Sequence, residues 1–336
     1  MRSQRLVYAC LTAGFVAAML VPVVTVAGQS AGAKKTAYRA PRTSWGAPDI
    51  HGDYTNKDEA NTPLERPAQL AGKDAGAFTE ADLAQLSKDR AAQAQQIAGG
   101  IGGAETGAGP THWYDHLSAK GSRPWFIVDP ADGQLPPMTP QAQRREAAIA
   151  LLNNARNGEG RADSPDDRSM YDRCITRGLP GSMMPTIYGN AYQIVQTPDT
   201  VAIRYEMIHE TRIIPMDGRP HTRSRVHLLM GDARGHFDGE TLVVETTNFT
   251  NRTHSGYNNR YNSERQKIVE RFTPIAPGKL NWEVTIDDPD VWTRPWTFAM
   301  TLTKDDSQRI FEYACHEGNY GLRDILSGAR AEDSKH

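Results

Sequence analysis

Cysteine is scarce in this chain of 336 residues: there are three, and Cys10 sits inside an apolar N-terminal run. There is no Cys-x-x-Cys pair, no His-Glu-x-x-His run and no calcium-loop spacing, so the usual metal-binding signatures are missing. Neither sign of charge predominates. The 38 Lys and Arg face 40 Asp and Glu for a formal charge of −2, and no extended basic stripe stands out. That balance argues against nucleic acid, and against an anionic membrane surface, as partners. The dinucleotide fingerprint, the phosphate-cradling loop and the Gly-x-Ser-x-Gly elbow of esterases are absent as well. The glycine run at 99–103 follows no strand, and no cofactor is expected. Beyond the first 27 residues no apolar stretch is long enough to cross a bilayer.

What the N-terminus does carry is a leader. Arg2 and Arg5 precede a nearly uncharged apolar run over 6–27, and small residues at 25–27 or 31–33 offer cleavage sites. This pattern predicts a secretory signal peptide over 1–27 and a periplasmic or secreted product, with a retained anchor as the alternative. Export gives the remaining cysteines a meaning. Cys174 and Cys315 form an even pair in an oxidising compartment, so a disulfide between them is expected. Closing so long a loop is worth roughly 4–5 kcal/mol in the chain-entropy model. Neither thiol is then left for metal binding or nucleophilic work, and no metal site is expected.

Two regions follow the leader. Residues 28–160 read as helical and loop-rich. A helix is expected over 79–98, capped by Thr79 with Glu80 and Asp82 in its first turn. A second is expected from Thr139-Pro140 to about residue 157, with proline at its first turn. Between them lie a flexible loop over 99–109, which holds six glycines, and a short buried strand over 124–128. An antiparallel β domain is expected over 161–336, and from Tyr192 onward the period becomes two. Strands are expected over 192–197, 200–214, 226–230, 240–249, 267–273, 280–286, 296–303 and 309–315. Asp238-Gly239 and Pro277-Gly278 supply turn chemistry. Consecutive strands without intervening helices predict a mainly β fold, an antiparallel meander closing into a lipocalin-like barrel or a curved sheet.

Candidate chemistry clusters at predicted strand interiors and ends. On a single strand over 200–214, Val201, Ile203, Tyr205, Met207 and His209 share the apolar, inward face. His209 then reads as a general acid or base with Tyr205 beside it, or as a core histidine satisfied by a carbonyl or hydroxyl. The expected final strand ends in Cys315-His-Glu-Gly-Asn319, which would bring His316 and Glu317 to the sheet rim. Arg212 or Arg294 is suited to hold an anionic or oxygenated group. Trp292, Arg294 and Trp296 fall on one side of an extended segment, as a stacking wall or a structural stack. Asp287-Asp288-Pro289 is either a carboxylate pair or turn chemistry. His112 and His116 share a helical face only if a helix forms there, and the preceding Gly-Pro and Trp113 disfavour one.

Several of these segments together resemble a known family. They are Asp166-Asp-Arg-Ser-Met-Tyr-Asp-Arg-Cys174, Glu206-Met-Ile-His209 with Arg212-Ile-Ile-Pro215, Val269-Glu-Arg-Phe272, Asp287-Asp-Pro289, Arg294-Pro-Trp296, residues 311–319 and the tail from Ile325 to Glu332. They look like a family of exported bacterial proteins, often from soil and water organisms, and the likeness covers most of the mature chain. That family has no established activity, so the resemblance implies export and nothing about substrate. His112 and His116 fall where it leads us to expect no histidines. The meander with Gly52-Asp-Tyr54 upstream is also similar to lipocalin-like barrels, which implies only the fold. The leading expectation is an exported small-molecule enzyme using acid–base chemistry, with His209 and Tyr205 central; the alternative is a binding protein for an apolar or aromatic ligand.

Overall fold

The architecture comes from a computed structural model, which describes residues 38–101, 120–154, 162–252, 261–307 and 309–335. The expected leader, the histidines at 112 and 116 and most of the glycine-rich loop lie outside the described residues. All those described belong to one compact unit, Tyr38–His336.

Ten strands make one antiparallel sheet: β1 (Gly52–Thr55), β2 (Ile127–Asp129), β3 (Ala191–Gln196), β4 (Thr200–Tyr205), β5 (Thr211–Pro215), β6 (Asp232–Asp238), β7 (Thr241–Thr247), β8 (Lys267–Ala276), β9 (Lys279–Asp287) and β10 (Trp296–Lys304). Nine run in the order β5-β4-β3-β1-β10-β9-β8-β7-β6, and β2 adds to β10. The short β1 joins the two halves, with Tyr54 opposite Tyr192 on one side and Lys304 on the other. The ends of the path then meet. Gly235 of β6 lies against Ile214 of β5 so closely that an added Cβ would stand 2.8 Å from the isoleucine and 2.5 Å from the Met216 sulfur. The sheet is therefore a nearly closed barrel, with strands from both sides of residue 160.

The period of two explains which side is inside. On β9, Leu280, Trp282, Val284 and Ile286 are buried while Asn281, Glu283 and Thr285 are partly exposed. Aromatic side chains fill the barrel. Trp282 stacks on Phe272 with ring centres 6.3 Å apart and meets Phe298 edge-on at 5.4 Å; Tyr192 and Tyr205 are edge-on at 6.1 Å. Trp282, Trp296, Tyr205, Phe272 and Phe298 are completely buried. Burying a large ring contributes roughly 4–6 kcal/mol before entropy is counted. As in other small barrels, side chains occupy the interior.

Helix α1 (Glu80–Ile101) is capped as expected: the Thr79 hydroxyl accepts from the Asp82 amide at 3.2 Å, and the Thr79 amide donates to the Asp82 carboxylate at 2.9 Å. Helix α2 (Pro140–Asn154) starts at Thr139, whose hydroxyl accepts from the Ala142 amide at 3.1 Å. The Cys174–Cys315 disulfide is formed, with Cα atoms 5.8 Å apart.

Three expected strands differ. Residues 200–214 are not one strand but β4, a tight reversal and β5. Ile208 and His209 take φ of +64° and +48°, and no Gly, Pro, Asn or Asp at 206–210 announces the turn. Residues 226–230 are irregular apart from a bridge between Leu228 and Phe249, whereas the glycine-containing run Asp-Ala-Arg-Gly-His-Phe-Asp is strand β6. Residues 309–315 form no strand, and Phe311 there is 63% exposed. They lead instead to an unforeseen helix, α3 (Tyr320–Asp333), capped by Asn319 accepting from the Leu322 amide at 3.2 Å.

Candidate functional site

The β4–β5 reversal decides where the titratable groups go. On one continuous strand, His209 would follow Tyr205 inward. Turning the chain instead sends His209 to the surface and Arg212 into the barrel. There Arg212 Nη2 stands 2.5 Å from Glu270 Oε2 and donates to Thr246 Oγ1 at 2.8 Å, while Trp282 Nε1 donates to Glu270 Oε1 at 3.2 Å. The Tyr205 hydroxyl packs against the same guanidinium, although their contact lacks hydrogen-bond geometry. Burial works against the guanidinium charge, but Glu270 first and Tyr205 second outweigh it and raise the pKa of Arg212. Burial also pushes the Tyr205 phenol up, offset in part by Arg212. Arg212 thus reaches from β5 to β7 and β8 across the seam of the barrel. It is a closure, not a ligand clamp at the mouth.

The expected stacking wall also comes apart. Trp292 and Trp296 are both buried and pack edge-on against each other, with ring centres 5.9 Å apart. Arg294 lies outside between them in sequence and pairs with Asp129 at 2.7 Å. The segment turns before β10 begins, so the three do not share a side. Asp288 is buried and accepts from the Ser263 amide at 2.8 Å and hydroxyl at 2.6 Å; burial raises its pKa. Those bonds make it a turn anchor.

His316 and Glu317 are exposed in the turn after the disulfide, with no strand leading to them. His209, in the β4–β5 reversal at the barrel rim, meets the segment before them: its Nδ1 lies 2.9 Å from the Tyr313 carbonyl, a contact in which the ring N–H donates. Around this point two stretches of chain meet. Tyr171, Asp172 and Cys174 come from one, and Tyr313, Cys315 and Asn319 from the other; they line an open cavity of about 400 Å³. The Asn319 amide donates to the Asp172 carbonyl at 2.8 Å, and Arg177 sits 5.6 Å from the centre of the Tyr171 ring. The Tyr313 phenol is pushed up by burial and then by its hydrogen-bonded neighbours Tyr188 and Tyr171. Burial, then Tyr188, raises Tyr171 too. The cavity thus carries two un-ionised phenols able to donate and accept, Tyr171 and Tyr313, beside Asp172, Glu312 and Asn319.

Sequence reasoning did not assign these tyrosines a role. Tyr171 and Tyr313 lie within segments singled out above, and the even cysteine pair was the signal that the two segments meet. A second cavity of about 310 Å³ beside α2 has its polar side chains engaged with each other: Arg145 stacks on Tyr261 at 4.9 Å and Arg265 pairs with Asp290 at 2.8 Å. Among the described residues no group of three His, Cys, Asp or Glu is placed to hold a metal, and no helix is long and apolar enough to cross a membrane.

The fold and this rim define a mainly β protein built on a nearly closed antiparallel barrel. No protein-family model matches the chain, and no curated protein does. Among solved structures it is similar to two mutants of the fluorescent protein UnaG, each at 13% identity. One match has a TM-score of 0.21 over 34% of this chain and 70% of that one; the other has 0.22 over 41% and 86%.

Proposed function

We propose that this is an exported small-molecule-binding protein, which holds an aromatic or oxygenated ligand at the rim cavity between Tyr171 and Tyr313 without turning it over. The observation that carries this reading is the cavity itself, about 400 Å³, within the range of small-molecule sites and lined by paired phenols. The barrel interior is filled by its own rings, which supports the rim over the interior. Acid–base turnover finds less support. His209 is bound to a main-chain carbonyl and has no carboxylate partner among the described residues. The leader pattern at 1–27 supports export to the periplasm or beyond.

The test is equilibrium dialysis against 4-nitrophenol, an aromatic hydroxyl compound with a convenient absorbance. Saturable one-to-one binding by the wild type is expected, weakened roughly tenfold or more in a Tyr171→Leu/Tyr313→Leu variant that melts normally. Equal binding by the two proteins, or none by the wild type across a panel of phenols and aromatic carboxylates, would defeat the proposal.

A further inference from the structure

The strand path of the barrel is complete at Lys304, and the segment after it is attached differently. Residues 309–319 form neither helix nor strand, and α3 has no buried residue. Among the described residues, polar contacts tie this segment to the rest at Tyr313, Asn319 and Arg330. The Tyr313 carbonyl accepts from His209 and its phenol hydrogen-bonds Tyr188 and Tyr171; Asn319 donates to the Asp172 carbonyl and the Cys174 sulfur; Arg330 donates to the Ala162 and Asp163 carbonyls at 3.1 and 2.9 Å and pairs with the Asp163 carboxylate at 3.7 Å. Each is largely an exchange with water and so net-weak. The covalent link is the disulfide, and both its cysteines line the open cavity, Cys315 the more exposed and Cys174 buried.

We infer that the Cys174–Cys315 bond is a redox-operated latch: its reduction frees residues 309–335 from the barrel and takes away one wall of the cavity. Loss of ligand on reduction rests on the binding role proposed above; release of the segment does not. The reductant is a dithiol. One of its thiolates attacks Cys315 Sγ through the cavity, the Cys174 thiolate leaves and takes a proton, and a mixed disulfide forms. The second thiol of the reagent then displaces Cys315, closing a cyclic disulfide. Two electrons pass to the protein, and both cysteines end as thiols. Tyr313, Cys315 and Asn319 depart together, while Tyr171 and Asp172 stay behind with the body of the protein.

The experiment compares oxidised protein, dithiothreitol-reduced protein and a Cys174→Ser/Cys315→Ser variant. Limited chymotrypsin digestion reads the segment through Phe311 and Tyr313, tryptophan emission reads the barrel through Trp282 and Trp296, and dialysis reads 4-nitrophenol. Reduction and the double substitution are expected to speed cleavage at 311–313 by roughly tenfold or more, leave the emission maximum in place and weaken 4-nitrophenol binding by a similar factor. Reoxidation of the wild type is expected to reverse all three changes. Unchanged cleavage overturns the latch, as does a red-shifted emission on reduction, because the bond then supports the barrel. Cleavage that accelerates with undiminished binding overturns the coupling to ligand. If oxidised protein binds no 4-nitrophenol, the binding role fails, and the latch still stands or falls on cleavage.

Discussion

Replacing Glu270 by Gln is the sharpest probe of how the barrel closes. The amide keeps an oxygen for Trp282 Nε1 but removes the charge that stands 2.5 Å from Arg212. The two side chains are only 3% and 0% exposed, so solvent screens the loss little. Leaving one buried charge without its partner typically costs about 3–5 kcal/mol, far more than losing a surface pair. Arg212→Met should cost a similar amount, since it strands the carboxylate. The double substitution removes both charges from a setting of Tyr205, Trp282 and Ile203, so neither is left buried without its partner, and the glutamine keeps an oxygen for Trp282 Nε1. The expected cycle is therefore strongly non-additive: about 3–5 kcal/mol for each single change and under about 2 kcal/mol for the pair. Urea denaturation followed by tryptophan emission measures it. A Glu270→Gln protein within about 1 kcal/mol of wild type would refute the account, because it would mean that Arg212 is solvated and the seam open.

The seam carries a second expectation. Gly235→Ala would bring a methyl carbon against Met216 Sδ and Ile214 Cγ2, and should destabilise by about 1–3 kcal/mol in the same assay. The third concerns Glu59, which is 1% exposed and accepts from the Ser122 amide at 2.9 Å. Burial raises its pKa above 4.5, so the folded state favours the proton. Its stabilising contribution is greatest at low pH and is lost as pH rises through the folded-state pKa. Glu59→Gln should therefore be no less stable than wild type at pH 7, and its advantage should shrink as pH falls toward 4.5 in pH-dependent urea titrations. An advantage that grew on acidification would reverse the assigned direction.

Much of the barrel was legible because alternation is a strong local signal wherever one face is buried. β8, β9 and β10 announced themselves through Ile268/Phe272, Leu280/Trp282/Val284 and Trp296/Phe298/Met300, and Pro277-Gly278 marked the turn between β8 and β9. The site was less legible because it depends on parity. The single turn at 206–210 carries none of the usual turn residues, and misreading it exchanged His209 for Arg212 inside the barrel. Residues 309–315 alternate like a strand, yet the segment is held by Cys315 and pairs with no ladder. β6 was passed over for the opposite reason: Gly235 and its charged neighbours look poor as a strand but are what the seam admits. The rim cavity needs Tyr171 and Tyr313 brought together across the chain, which local pattern does not encode; the cysteine pair was the part of that meeting that could be read.

The position of β1 has a consequence for assembly. Hairpins β3-β4-β5 and β6 through β10 each pair neighbours in the chain and have what they need to form early. Between them stands a keystone of four residues, contributed from far upstream, whose partners Tyr192 and Lys304 must both be in place before it can be set. Until that keystone is set, the facing edges of β3 and β10 lack their partner, and how quickly it drops in governs how long those edges remain available to other chains.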